Sequence, residues 1–182
     1  MLVLYTEDTT YHVVLDQDEK DGEIVWQQAN ITGCVPAVVV PGDTNGSDDV
    51  FLRDRRTGTT IRLSVDSAGV QGDGDSYEAS ISLDGRFVTY YSAASNLVPG
   101  DTNGVNDIFV HDLSTSTTSR VSVDSAGVQA NGQSIYSSIS ATGRYVVFAS
   151  FATNLVAGDT NAASDIFLHD RSSGITSRVS LD

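Results

Sequence analysis

Three acidic loops contain the residues of this chain that could do chemistry. Each reads D-x-N-x-x-x-D, so that two carboxylates and one amide recur at the same spacing. Ca²⁺ takes about six to eight oxygen ligands, and oxygens on alternate residues of a tight loop can converge on one ion. The loops therefore predict calcium sites, with these candidate ligands: Asp43, Asn45 and Asp49; Asp101, Asn103 and Asp107; Asp159, Asn161 and Asp165.

Turn chemistry is the alternative explanation of the same loops. Asp and Asn side chains accept hydrogen bonds from nearby backbone N–H groups, and Gly tolerates a left-handed backbone. The EF-hand-like start D-x-N does not continue, because position five is Ser47, Val105 or Ala163. Position twelve is Asp (Asp112 in the second copy), but a strand separates it from Asp107 by about 16 Å. Calcium binding and a loop held by its own hydrogen bonds both stay open.

Other polar residues give little support for catalysis. No G-x-S-x-G elbow is present, and Cys34 has no local His partner. His111 and His169 recur, but Arg53 stands at their position in the first copy, which argues against a histidine metal site. We therefore predict that the chain is not an enzyme.

Two further sets of residues have competing explanations. One arginine recurs in strand D of each unit, at Arg62, Arg120 and Arg178. We expect these arginines to pair with nearby carboxylates, for which the candidates are Asp54, Asp112 and Asp170. Aromatic side chains could either form a sugar-stacking surface or pack between sheets; they are Trp26, Tyr90, Tyr91 and Phe151.

Composition excludes several classes of partner. The formal net charge is −14 with a pI near 4.2, whereas phosphate binding needs clustered Lys and Arg. We therefore expect neither a nucleic-acid partner nor attraction to an anionic membrane. No apolar stretch reaches the roughly 18 residues of a membrane-spanning helix. The segment Met1–Thr10 has no signal-peptide features, and a single cysteine permits no internal disulfide.

The acidic loops belong to an internal repeat of 58 residues. Asp43, Asp101 and Asp159 follow one another at that spacing within GDTN motifs, and the similarity extends well beyond them. Within each unit, short runs rich in Val, Ile, Phe, Tyr and Thr are separated by Gly, Asn, Asp and Ser, which predicts four strands. In the third unit we place strands A to D at Ser134–Ser140, Arg144–Ser150, Asp165–Asp170 and Thr176–Leu181.

Neighbouring sheets must cover these strands, because strands B and C are almost continuously apolar and need cover on both faces. Four antiparallel strands per repeat, packed between similar neighbours, predict an all-β fold of propeller blades. About three blades are expected, forming a partial propeller or half of an assembled ring. We predict a spare N-terminal strand at 1–10, a degenerate first blade at 11–66, and further blades at 67–124 and 125–182. In the first blade we place strand A at Tyr11–Asp16 and strand B within Asp21–Asn30.

The pattern S-x-S-x-x-G-R-[FY]-V-x-[FY], followed by D-I-F-[VL]-H-D, resembles the WD-like propeller repeats of the TolB type. It is carried by Ser80–Tyr90 and Ser138–Phe148, then by Asp107–Asp112 and Asp165–Asp170. The NLVPGDTNG segment is similar to an insertion in long-repeat relatives from secreted bacterial proteins. The resemblance implies a propeller fold, an extracytoplasmic location and work through protein contacts.

Three blades cannot close a ring, since known rings have about four to eight. We therefore expect the chain to assemble with itself, as a closed dimer or a filament, or to pack against further blades or another protein. The expected function is a non-catalytic binding or scaffold module. A carbohydrate-binding propeller and an accessory domain of a larger secreted hydrolase are the alternatives.

Overall fold

The computed structural model describes residues 42–54 and 57–180 in full, and the backbone of three strands closer to the N-terminus. All regular structure in these residues is β-strand, which confirms the all-β prediction. The N-terminal strands are β1 (Leu2–Tyr5), β2 (Val13–Lys20) and β3 (Glu23–Asn30). The remaining strands are β4 (Phe51–Asp54), β5 (Thr59–Arg62), β6 (Ser76–Ile81), β7 (Phe87–Ser92), β8 (Asp107–Asp112), β9 (Thr117–Arg120), β10 (Ser134–Ile139), β11 (Tyr145–Ser150), β12 (Asp165–Asp170) and β13 (Ile175–Arg178).

The second and third blades are four-stranded antiparallel sheets in sequence order, β6-β7-β8-β9 and β10-β11-β12-β13. Their strands agree with the sequence prediction to within a few residues at each end. The turns between the first two strands of each blade contain Gly85 and Gly143, both with φ of 70°. This is the left-handed conformation that glycine adopts without a steric penalty.

The first sheet has five strands in the order β3-β2-β1-β4-β5, and it corrects the prediction for the N-terminus. In β1, Leu2 pairs with Asp54 and Tyr5 pairs with Phe51. Strand β7 of the second blade pairs with β8 in the same way, Phe87 with Asp112 and Tyr90 with Phe109. Strand β1 is therefore the strand B of the first blade and is not spare.

The physical reason lies in the residues of β1. The run LVLY has the continuous apolar character of FVTY and YVVF in the later blades, which suits a central strand covered on both faces. Strand β2 lies at the strand A position, as expected for Tyr11–Asp16, although it is longer. Strand β3 pairs only with β2, so the assignment of Asp21–Asn30 as strand B is wrong. Cys34 and the Trp26 side chain lie outside the described residues.

Two hydrophobic cores lie between successive blades. In the second core, Ile108, Val110 and Val121 of one blade pack against the next blade through Val146, Phe148 and Phe167. We call the first three the forward face of the second blade, and the last three the rear face of the third. The first core joins the first two blades in the same way. Tyr90 is fully buried there, which confirms its packing role.

Candidate functional site

Each acidic loop leads into strand C of its blade and is closed by an arginine from strand D. In the second loop, Arg120 Nη1 lies 3.1 Å from Asp101 Oδ1 and 3.4 Å from Asp107 Oδ2. The Ser122 hydroxyl donates to the other oxygen of the Asp107 carboxylate at 2.5 Å. One guanidinium group therefore links the first and last acidic residues of the motif.

The asparagine of the motif acts as a donor and an acceptor inside the second loop. Asn103 Nδ2 donates to Asp107 Oδ2 at 2.7 Å and to the carbonyl oxygen of Ala130 at 2.9 Å. Its Oδ1 accepts from the amide of Val105, which forms an Asx-turn. Asn103 thus fastens the loop to the segment that leads into the next blade.

The first and third loops repeat this arrangement. Arg62 lies 3.0 Å from Asp43 and 3.2 Å from Asp49. Arg178 lies 3.2 Å from Asp159 and 3.3 Å from Asp165. The structure therefore brings together the three predicted ligands of every loop, but it groups them around an arginine.

The observed arrangement does not fit Ca²⁺. A guanidinium lies against both carboxylates of each loop, and the amide nitrogen of the asparagine, which cannot coordinate a cation, faces the last carboxylate. Among the residues that the structure describes, no group of three or more His, Cys, Asp or Glu side chains could hold a metal ion. The contacts favour turn chemistry, and calcium binding stays a prediction.

The predicted pairing of strand D arginines with Asp112 and Asp170 is wrong. Asp112 and Asp170 pair with Arg86 and Arg144, each with a closest approach of 2.7 Å. Arg120 lies opposite Phe109, near the start of strand β8, whereas Asp112 ends that strand. Strand register thus decides which arginine meets which carboxylate. Our prediction overlooked Arg86, which stands just before strand B and therefore lies beside Asp112.

The environment of the carboxylates differs between the loops. Burial is the main cause that raises the pKa of Asp107, and burial together with the charge of Asp107 raises the pKa of Asp101 to about 6. Burial likewise raises the pKa of Asp49. In the third loop, the hydrogen bond from Ser180 is the main cause that lowers the pKa of Asp165. Of the three terminal carboxylates, only that of Asp165 has a pKa below its ordinary value.

A threonine in strand D joins the second and the third blade to the connector from the blade before it. The Thr118 hydroxyl donates to the carbonyl oxygen of Val65 at 2.5 Å, and the Thr118 amide donates to Ser67 Oγ at 3.0 Å. His111 Nδ1 lies 2.9 Å from the same hydroxyl. The recurring histidine therefore supports an inter-blade contact.

The forward face of the third blade is open in the structure. In the second blade, Ile108 and Val121 are 0% and 2% exposed beneath the third blade. Their equivalents one repeat later, Ile166 and Val179, are 38% and 48% exposed. Residues that form a core in one blade therefore form a surface in the next.

Comparisons with known proteins address the fold. No protein-family model and no curated protein matches the chain. Among solved structures, a putative TolB from Agrobacterium tumefaciens has 17% identity over 92% of this chain and 60% of that one, with a TM-score of 0.51. TolB from Acinetobacter baumannii has 19% identity over 75% of this chain and 27% of that one, with a TM-score of 0.46. The propeller domain of the Trilobed protease from Pyrococcus furiosus has 12% identity over 96% and 41%, with a TM-score of 0.46.

At such identities the likeness shows the fold alone, which is that of a TolB-like β-propeller. The chain spans 60% and 27% of the two TolB structures, so it corresponds to part of their length. No helix in the described residues is long and apolar enough to cross a membrane.

Proposed function

We propose that the chain is a non-catalytic propeller module that binds protein through the forward face of its third blade. The observation that carries this proposal is the exposure of Ile166 and Val179, whose equivalents in the second blade are buried by a neighbouring blade. An apolar face with the residues of an existing interface is a surface suited to a protein partner. A second copy of the chain, a further blade or another protein could cover it.

Charge and resemblance support the rest of the proposal. A net charge of −14 keeps a module with an open apolar face soluble and disfavours nucleic-acid partners. The resemblance to exported TolB-type repeats supports an extracytoplasmic location. In the loops, each recurring pair of carboxylates is engaged by an arginine, which leaves those groups poorly placed for acid–base catalysis. An accessory role beside a larger hydrolase is compatible with this module.

Carbohydrate binding is the second candidate function, and two exposed aromatic residues favour it. Tyr136 and Phe151 are 63% and 53% exposed. Their equivalents in the second blade are Glu78 and Ala93, so the aromatic residues do not recur as one sugar site per blade. A glycan array tests this candidate: specific binding that Phe151→Ala abolishes would support it, and an array without binding would remove it.

The mass of the chain in solution tests the main proposal. We expect association that increases with concentration and that Val179→Glu abolishes. The Glu carboxylate would be buried in the interface without an opposite charge, which is costly. Val128→Glu is the matched control, since Val128 is equally exposed but lies in a connector. A wild-type chain that stays monomeric at every concentration, or equal effects of both substitutions, would remove a second copy of the chain as the partner of this face.

A further inference from the structure

Two strand residues in the second and third blades have a left-handed backbone although neither is glycine. Glu78 has φ of 50°, and Tyr136, one repeat later, has φ of 56°. Each lies in a bulge of its strand, β6 or β10, where the pairing register shifts. Side chains adopt this conformation at a steric cost, which the turns at Gly85 and Gly143 avoid. Bulges of this kind redirect a side chain and are common beside functional sites.

Glu78 is a half-buried carboxylate that no cation neutralises in the part of the chain that the structure describes. It is the only glutamate between residues 42 and 180. Burial raises the pKa of Glu78, and neither a hydrogen bond nor a positive charge opposes that effect. The aspartates of the acidic loops differ, because an arginine lies against each pair. Glu78 can therefore accept a positively charged group from outside the molecule.

Two tyrosine side chains lie near this carboxylate. Burial is the main cause that raises the pKa of Tyr91, and the charges of Glu78 and of ionised Tyr136 add to it. Strand packing brings Tyr136 to this place, because Oγ of the next residue, Ser137, lies 3.0 Å from Thr89 Oγ1 in β7. One carboxylate and two phenol rings thus converge where β10 packs against β6 and β7.

The two rings differ in how firmly they are held. Tyr91 is half-buried and packs against the second core. Its ring also contacts that of Tyr77, with centroids 5.6 Å apart and planes inclined at 42°. Tyr136, in contrast, is 63% exposed. The carboxylate therefore has one fixed aromatic neighbour and one that is open to solvent.

This combination suits an ammonium group. A cation is attracted to the face of an aromatic ring, and a carboxylate beside the ring supplies the opposite charge. A net charge of −14 also attracts cations to the molecule. A metal ion fits less well, because Ca²⁺ and Mg²⁺ need several oxygen ligands and Glu78 offers a single carboxylate.

We propose that Glu78, Tyr91 and Tyr136 form a binding site for an organic ammonium group. The group could belong to a free alkylammonium compound or to a lysine side chain, since both present the same chemistry to the site. The inference goes beyond the proposed function and does not depend on it, because the site contains no residue of the forward face.

Titration of the full chain with tetramethylammonium chloride, followed by NMR of the tyrosine rings, tests the site. Sodium chloride controls for ionic strength, and tert-butanol is a neutral molecule of similar shape. We expect saturable shifts of the Tyr91 and Tyr136 ring signals with tetramethylammonium and with neither control. Equal shifts with tert-butanol would overturn the inference, because the charge would then play no part.

A second titration, with Nα-acetyl-lysine amide, distinguishes the two sources of the ammonium group. Tighter binding of the lysine compound would identify a lysine side chain as the ligand, and tighter binding of tetramethylammonium would identify a free quaternary ammonium. Both results support the site. Saturable shifts with neither compound would overturn it.

Removal of the Glu78 charge tests the role of the carboxylate. Glu78→Gln should weaken ammonium binding by about tenfold, because an ion pair is lost while the shape is kept. Asp84→Asn is the matched control, since it removes the same charge from an exposed carboxylate in the turn after β6. We expect that control to keep the affinity of the wild type. Equal losses would show a general attraction of cations to an acidic protein and would overturn the inference.

Replacement of Tyr136 separates binding from folding. Tyr136→Gly removes an exposed ring and the steric cost of the left-handed backbone, so the melting temperature should stay equal or rise. The affinity for tetramethylammonium should fall by about threefold, because one aromatic face is lost. A glycine variant that binds tetramethylammonium as tightly as the wild type would overturn the role of this ring.

Discussion

The second and third blades have nearly the same sequence but different surroundings, and the difference shows what the neighbouring blade contributes. Strand β8 reads DIFVHD and every one of its residues is buried, whereas β12 reads DIFLHD and Ile166 is exposed. The terminal carboxylates of the two loops are both buried, but burial raises the pKa of Asp107, whereas the hydrogen bond from Ser180 lowers that of Asp165. The burial of a blade's apolar side chains is therefore set by the next blade as well as by its own residues.

Replacing the loop arginine with alanine should give the largest difference in unfolding free energy between the second and third blades. Arg120→Ala leaves the buried Asp101 and Asp107 carboxylates without their cation and should lower the free energy of unfolding by about 3–5 kcal/mol. Arg178→Ala should lower it by less, because the Arg178 side chain is 25% exposed and that of Arg120 only 10%, although the carboxylates are buried in both loops. Urea denaturation measures both variants, and equal losses would contradict the difference in burial.

Truncation of the strand C isoleucine is expected to have the next largest effect. Ile108→Ala opens a cavity between two blades and should cost about 3 kcal/mol of unfolding free energy. Ile166→Ala removes a side chain that is already partly in water and should cost less than about 1 kcal/mol. Thermal and urea denaturation of the two variants provide the comparison. A loss for Ile166→Ala as large as that for Ile108→Ala would mean that the third blade is covered in solution.

The pKa of the terminal carboxylate should be shifted in opposite directions in the second and third loops. NMR titration of the carboxyl carbons should give a pKa above the ordinary aspartate value for Asp107 and below it for Asp165. Asp101 binds its proton more readily in the folded chain, so its contribution to stability should fall as the pH rises from about 4 to about 6. Asp165 favours the charged form when folded, and its contribution should be lost as the pH falls through its lowered pKa. The same direction of shift for Asp107 and Asp165 would sink this part of the comparison.

Calcium should have the smallest effect, because an arginine already lies against the carboxylates of each loop. We expect equal melting temperatures in excess Ca²⁺ and in chelator. If the third loop binds the ion, the melting temperature should rise in Ca²⁺ for the wild type, and Asp159→Asn should remove the rise. That result would confirm the calcium prediction.

The sequence predicted those features that each repeat determines locally. Apolar runs such as Asp165–Asp170 predicted strands, and Gly85 and Gly143 predicted the tight turns. It did not predict the arginine partners, because strand register rather than proximity in sequence places Arg120 beside Asp107. The role of β1 was also missed, because its apolar residues suit a central strand but do not say which strand it pairs with, and only the pairing with β4 identifies it as strand B.

The accessibility of two isoleucine methyl groups tests the central claim, that successive 58-residue units pack face to face and leave the forward face of the third blade open. A soluble paramagnetic agent is added to methyl-labelled protein at a concentration where its mass is that of a monomer. We predict strong relaxation of the Ile166 methyl signals and almost none for Ile108. Equal relaxation of the two residues would contradict the stacked arrangement.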